Sequence, residues 1–489
     1  MTASTTSAAG TVTASAAGAV TAPQLTIAGA RRPGGSHLPV INPATGLRFT
    51  EVPAASAAQL DDAVAAATTA GTAWGRTPLA ERQEQVRALA AVVSDHIDEL
   101  ARLLTLEQGK PLARAAGETR SGLSYVEFFA GMDLPAEVVR DDAGERIVVT
   151  RVPVGVVAAI TPWNYPLMLA LWKIGPALVA GNPVIVKPSP YTPVATLRLG
   201  ELAQEVLPPG VVQVLAGDDS LGRALTEHPG VGKISFTGSV QTGKAIMASA
   251  ARTLKRLTLE LGGNDPGIVL EDADPQAVAG DLYWAALSNC GQVCAGLKRL
   301  YVPASRAGEY AEALAAVAAT VVVGDGLAPG TDMGPVQNRP QLDRVRSLLA
   351  DARERGAEVF FSGQAPDGGG YWHPVTLVRG AGEDTPLVAE EQFGPVLPLL
   401  TYDTVDEAVA RANASAFGLG ASVWSPDEDQ AAAVADSLQA GTVWVNQHPM
   451  LSPDTPFGGL KQSGIGVESS RHGLAAYTDI CVLRVKRGH

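Results

Sequence analysis

Between residues 145 and 252 short β-branched runs alternate with helix-length segments, and this alternation limits the possible folds more than any other feature of the chain. The runs 147–150, 155–160, 183–186, 211–215 and 233–236 break helical periodicity, and 167–180, 193–206, 220–226 and 241–252 lie between them. Such alternation makes βαβ units and a mostly parallel sheet covered on both faces. A second stretch repeats the texture: strands over 267–270 and 299–302, helices over 274–288 and 307–320, then strands over 358–361, 396–402 and 441–445. Upstream, apolar residues from 61 to 109 recur at three and four spacing, as in helices, until Gly109-Lys110-Pro111 breaks the pattern. The segment 479–485 alternates like a strand with no later partner, so it must pair with an earlier segment or with another subunit.

Length and charge narrow the class. The 489 residues suggest about three domains at roughly 150 residues each. A net charge of −13 argues against nucleic acid or an anionic membrane as a partner. Three cysteines, Cys290, Cys294 and Cys481, exclude a disulfide scaffold and favour a reducing compartment. No apolar run approaches the ~18–20 residues of a bilayer span. The first charged residue is Arg31, so a basic secretory leader is missing, and a cytoplasmic location is expected. Residues 1–22, nearly all Ala, Thr, Ser, Gly and Val, read as a flexible tail.

Five short motifs carry chemistry. Phe236-Thr237-Gly238-Ser239 follows an apolar strand and opens a helix, an arrangement that offers free N–H groups to an anion. Gly238 to Lys244 also matches GxxxxGK, but Ala245 stands where a P-loop needs a hydroxyl for magnesium. Leu259-Glu260-Leu261-Gly262-Gly263 puts one carboxylate at an apolar strand end, before a pair of glycines that permit close approach. In Asn289-Cys290-Gly291-Gln292-Val293-Cys294 the small neighbours of Cys294 leave a thiol that substrate can reach, and no nearby Cys–His group completes a zinc site. Thr161-Pro162-Trp163-Asn164-Tyr165-Pro166 holds an amide donor in a turn fixed by two prolines, suited to an oxyanion. Glu390-Glu391-Gln392-Phe393 adds a carboxylate and an aromatic on one turn. Each motif alone is also compatible with a plain loop or a solvated strand end.

Together and in this order, the five resemble the aldehyde dehydrogenase superfamily from about residue 24 onward. The resemblance implies two Rossmann-like α/β domains with parallel sheets and a small β oligomerisation arm. By position, 23–133 and 151–262 form the NAD(P)-binding domain and 263–473 the catalytic domain. Residues 134–150 and 474–489 form the arm, whose last strand joins a neighbour's sheet in a homodimer or homotetramer. It further implies Cys294 as nucleophile, Glu260 as general base and Asn164 as oxyanion donor together with the Cys294 backbone N–H. Cofactor contacts fall on Ile160, Thr161, Pro162, Trp163, Lys187, Ser189, Pro190, Gly217, Phe236, Thr237, Gly238, Ser239, Leu261, Gly262, Glu391 and Phe393. Tyr165, Met168, Trp172, Leu451 and Phe457 wall the aldehyde channel. Glu468 matches a carboxylate assigned to proton relay, and a structural ion pair explains it equally well. His448 lies near the channel and reads first as a loop histidine.

The chemistry so implied is oxidation of a small-molecule aldehyde to its acid. Thiolate attack gives an oxyanion, hydride passes to the nicotinamide, and water deprotonated by Glu260 hydrolyses the thioester. Pro190 replaces a glutamate that many NAD-preferring members carry three residues after the lysine, so NAD is expected with NADP tolerated. The expected channel is apolar and partly aromatic, with neither Arg nor Lys, which favours a medium aliphatic or aromatic aldehyde over a semialdehyde acid. A non-catalytic relative would lack Cys294 or Glu260, and both are present.

Overall fold

The computed structural model describes residues 22–487, so the tail expected over 1–22 lies, but for Ala22, outside the described residues. The helical stretch read over 61–109 is three helices, Ala57–Trp74, Leu79–Ser94 and Ile97–Gln108. Ser56 and Gln59 start the first with a capping box, and Gly109 ends the third at φ +96°. The Gly-Lys-Pro break does not close this section. Pro111 leads directly into a fourth helix, Leu112–Ala130.

An eight-stranded sheet follows the βαβ reading. Its order is Gly464–Ile465, Arg256–Glu260, Val231–Thr237, Val156–Ile160, Val184–Lys187, Val212–Val214, Leu25–Ile27, Ala30–Arg32. The five strands from Arg256–Glu260 to Val212–Val214 are parallel, and the flanking ones join antiparallel. Val156–Ile160 and Val184–Lys187 are buried throughout, which is why they read as continuous apolar runs rather than alternating ones. The run 147–150 is not part of this sheet. It lies within the longer arm strand Glu145–Pro153.

A seven-stranded sheet runs Glu358–Ser362, Thr376–Arg379, Val396–Tyr402, Leu297–Pro303, Asp265–Val269, Gly420–Trp424, Thr442–Val445. All its pairings are parallel except the first. Thr376–Arg379 and Gly420–Trp424 escape the sequence reading, the first for its brevity and the second because it opens on small residues of low strand propensity. The last strand, Thr478–Lys486, pairs antiparallel with Glu145–Pro153 of its own chain and is the edge strand of that sheet. Glu137–Asp141 completes that three-stranded arm. Among the described residues no helix is long and apolar enough to cross a membrane.

Ile160, Lys187, Thr237 and Glu260 fall at the C-terminal ends of parallel strands. In an open α/β sheet the crevice beyond those ends is where ligands bind.

Candidate active site

Two cavities meet beyond the strand ends and share Cys294 and Thr237. The larger, about 420 Å³, is walled by Pro162, Trp163, Asn164, the segment 237–240, Leu261, Gly262, Glu391 and Phe393. The smaller, about 210 Å³, is walled by Tyr165, Met168, Leu169, Trp172, Val293, Leu451 and Phe457, with Glu260 on its border.

The thiol reaches this junction on an unusual loop. Asn289, Cys290 and Gly291 are consecutively left-handed, at φ +51°, +60° and +70°. A non-glycine residue held there costs on the order of 1–3 kcal/mol, so the surroundings must impose it. Gln292 Nε2 donates to Asn289 O at 2.9 Å, the Gln337 N–H to Gln292 Oε1 at 2.9 Å, and Lys298 Nζ to Gly291 O at 2.7 Å. Gly291 has no alternative, because a Cβ there would stand 2.2 Å from Gly394 O.

The pair Gly262-Gly263 shows what approaches it. A Cβ on Gly262 would lie 2.3 Å from Glu391 Oε2, and one on Gly263 2.6 Å from Cys294 O. The Gly263 N–H donates to Glu391 Oε1 at 3.3 Å. Phe393, itself at φ +48°, meets Trp163 edge to face at 5.2 Å. Ser239 caps the helix Val240–Ala250 by accepting from the Thr242 N–H, at the edge of the larger cavity.

Asn164 is 2% exposed, and its Nδ2 donates to Gln292 O at 3.0 Å. That bond uses one of the two N–H groups of the amide and fixes its plane, leaving the other for a ligand in the cavity that Asn164 and Cys294 both wall. Glu260 is 5% exposed, and neither carboxylate oxygen has a protein partner. Burial, then the charge of Glu468, holds its pKa well above the carboxylate range against the pull of Lys173. Glu468 itself pairs with Lys173 at 2.8 Å and accepts from Ser235 Oγ at 2.9 Å, all buried. Burial, reinforced by Glu260 and Glu391, pushes the Cys294 thiol up to about 12. Burial likewise raises Glu391 to about 7 against the nearby Lys298. The surroundings of Cys294 therefore favour the protonated thiol.

Nine of the expected cofactor residues wall the larger cavity: Pro162, Trp163, Thr237, Gly238, Ser239, Leu261, Gly262, Glu391 and Phe393. Ile160, Thr161, Lys187, Ser189, Pro190, Gly217 and Phe236 do not; they occupy strand ends and the turns that follow. Lys187 is buried, with its amine brought down to about 8 by burial and partly restored by Asp219 and Asp218. All five expected channel residues wall the smaller cavity. His448 is buried rather than loose, with Nε2 3.0 Å from Ala295 O, and burial lowers it to about 3. Lys244 of the GxxxxGK match points away, to Gln462 Oε1 at 2.8 Å. The sequence reading missed Gln341 and Arg344, which close the larger cavity from the helix Arg339–Glu354. It also missed Lys110, Glu118, Lys173 and Lys298, because burial of a charge is invisible without the fold.

A Rossmann-like crevice beyond the parallel strand ends opens on a half-buried thiol, which places the chain among α/β proteins that bind a ligand there. The sequence profile described as the aldehyde dehydrogenase family matches residues 31–482, and the chain belongs to that family of oxidoreductases. It is 42% identical over 455 residues to a phenylacetaldehyde dehydrogenase of Pseudomonas fluorescens, covering 90% of each chain. It is 38% identical over 446 residues to a mitochondrial succinate-semialdehyde dehydrogenase of Arabidopsis thaliana, covering 90% of this chain and 84% of the relative. A betaine aldehyde dehydrogenase of Staphylococcus aureus, solved in complex with NAD+, superposes with a TM-score of 0.91 at 33% identity, covering 95% of this chain and 94% of that one.

Proposed function

We propose that the protein oxidises a medium aliphatic or aromatic aldehyde to its carboxylic acid with NAD, through a thioester on Cys294. The observation that carries this is the position of Cys294 in the wall shared by two cavities, one reaching the helix N-terminus at Ser239, the other lined mainly by apolar side chains. The larger fits a dinucleotide: Ser239 begins a helix at its edge, Gly262 leaves room against Glu391, and an aromatic ring closes it. The NAD+ complex of the Staphylococcus aureus relative supports the same choice. The smaller cavity, about 210 Å³, exceeds the roughly 150 Å³ apolar cavity that takes benzene, and neither Arg nor Lys lines it.

Glu260 removes the Cys294 proton, directly or through water, and the sulfur attacks the aldehyde carbon. The free N–H of Asn164 and the Cys294 backbone N–H receive the oxyanion, each such donor being worth roughly 3 kcal/mol. When bound, the oxidised nicotinamide supplies the acceptor for the aldehyde hydrogen and its electron pair. Glu260 releases that first proton to solvent and then takes one from a water, whose oxygen attacks the thioester carbon; the C–S bond breaks, the acid leaves and the sulfur departs as the thiolate. The Lys173–Glu468 pair sets the charge that Glu260 feels from behind. A homo-oligomer forms through the arm, where Val138, Val139, Ile480, Val482, Leu483 and Val485 are exposed.

The test follows reduced cofactor by absorbance with NAD and a panel of hexanal, benzaldehyde, phenylacetaldehyde and succinic semialdehyde. Turnover of the apolar aldehydes and its loss in Cys294→Ala are expected. Faster turnover of succinic semialdehyde would overturn the substrate class, and undiminished turnover in Cys294→Ala would overturn the mechanism.

A further inference from the structure

The Gly109-Lys110-Pro111 break carries a lysine that no step above uses, yet Lys110 is 2% exposed and lies under the active-site loop. Its Nζ donates to the backbone carbonyl of Asn164 at 2.9 Å and pairs with the Glu118 carboxylate. The same ammonium stands 3.9 Å from the centre of the Tyr165 ring. A carboxylate, a carbonyl and a ring face together satisfy an ammonium that has three donors to place. Glu118, from the helix Leu112–Ala130, accepts in turn from the N–H groups of Leu167 at 3.1 Å and Met168 at 3.3 Å. One buried ion pair therefore grips the segment 164–168, which carries the amide of Asn164 and two walls of the aldehyde cavity.

We propose that Lys110, paired with Glu118, is a positioning residue of the oxyanion hole, holding Asn164 through its backbone carbonyl. This rests on the reading of Asn164 as oxyanion donor. A buried ion pair is weak as a source of stability, since apolar residues of the same shape would often do as well. What it supplies here is registration. The carbonyl that fixes the Asn164 backbone accepts from Lys110 and, at 3.1 Å, from Asn289 Nδ2, while the Asn164 side chain is fixed on Gln292 O. The nucleophile loop and the oxyanion donor are thus tied to one another, and Lys110 ties both to the helical layer below.

The experiment is a mutant cycle. Lys110→Met together with Glu118→Gln removes both charges while keeping shape and an acceptor for Leu167 and Met168. The pair is expected to bind NAD as the wild type does and to lose kcat about 10- to 100-fold with little change in KM, the scale of an ångström's displacement at a reacting geometry. Asn164→Ala is expected to lose ~10²–10³-fold. Combining all three changes should cost no more than Asn164→Ala alone, because Lys110 acts through Asn164. A wild-type kcat in the charge-free pair, or losses that multiply with Asn164→Ala, would overturn the role of Lys110 and leave the oxyanion reading intact. An unimpaired Asn164→Ala would instead overturn the oxyanion reading. Should the charge-free pair not fold, Lys110→Arg keeps the ion pair and displaces the donor to the same carbonyl. It must then show a smaller loss, equally non-additive with Asn164→Ala, and a multiplying loss would overturn the proposal.

Discussion

The two cavities that share Cys294 are made of different material. The larger takes backbone from strand ends, from a helix N-terminus at Ser239 and from the Gly262-Gly263 pair pressed against Glu391, and is closed by the side chains of Trp163, Gln341, Arg344 and Phe393. The smaller is framed by side chains from the helix Pro166–Val179, from the nucleophile loop and from residues 449–457. Backbone geometry is insensitive to most substitutions, so a site made that way keeps its ligand as sequences drift. A side-chain lining changes with every substitution. The family relatives fit this contrast: their names carry phenylacetaldehyde and succinate semialdehyde as different aldehydes at comparable identity.

The hardest test of the contrast is the boundary itself. Glu260→Gln keeps shape and both cavities but removes the base, and a general base is typically worth ~10²–10⁴-fold. The expected result is a loss on that scale, with the first-turnover burst of reduced cofactor lost as well, because Glu260 also takes the Cys294 proton. In the wild type the raised pKa of Glu260 makes activity climb with pH as the carboxyl ionises. The glutamine variant should lose that limb and rise only at higher pH, as the Cys294 thiol itself ionises. An unchanged pH profile would show that the base lies elsewhere.

A change in the smaller cavity should be more modest and confined to the aldehyde. Leu451→Arg puts a cation into a lining that has none. We expect kcat/KM for hexanal to fall roughly 10- to 100-fold, succinic semialdehyde to gain, and KM for NAD to stay put. Equal losses for both aldehydes would mean that the two cavities do not divide the work.

The same division decides what the sequence alone reveals. Glycine pairs, a strand-to-helix turn and a proline-fixed amide are local, so Gly238, Ser239, Gly262 and Asn164 are legible from short motifs. The parallel sheets are legible because buried strands write continuous apolar runs. Illegible are contacts made across long separations. Lys173 meets Glu468, Lys110 meets Asn164, and His448 meets Ala295, each a polar residue whose burial only the fold discloses. Helix Leu112–Ala130 was hidden for a related reason: Pro111 reads as a terminator, and only the continuing chain shows that it sits at the start of a helix.

The smallest expected effect lies at Lys187, outside the wall of the larger cavity, where the resemblance puts the adenosine ribose. Burial lowers the Lys187 amine to about 8, while Asp219 and Asp218 pull it upward. If its ammonium holds the ribose, affinity for NAD should weaken as pH rises through about 8 and the proton is lost. A hydrogen bond to a charged group is worth about 1.5–3 kcal/mol, so the weakening should be roughly tenfold or more, and Lys187→Met should abolish the pH dependence. The two aspartates also bring negative charge beside Lys187, and we expect that charge to act against a 2′-phosphate. Asp218→Asn with Asp219→Asn should therefore lower KM for NADP several-fold, the scale of two solvent-screened charges. It should also move the NAD affinity limb to lower pH, because the groups that raise the Lys187 pKa are gone. Both shifts are read in one titration series, and NADP kinetics that ignore the double change would mean that this charge has no part in cofactor choice.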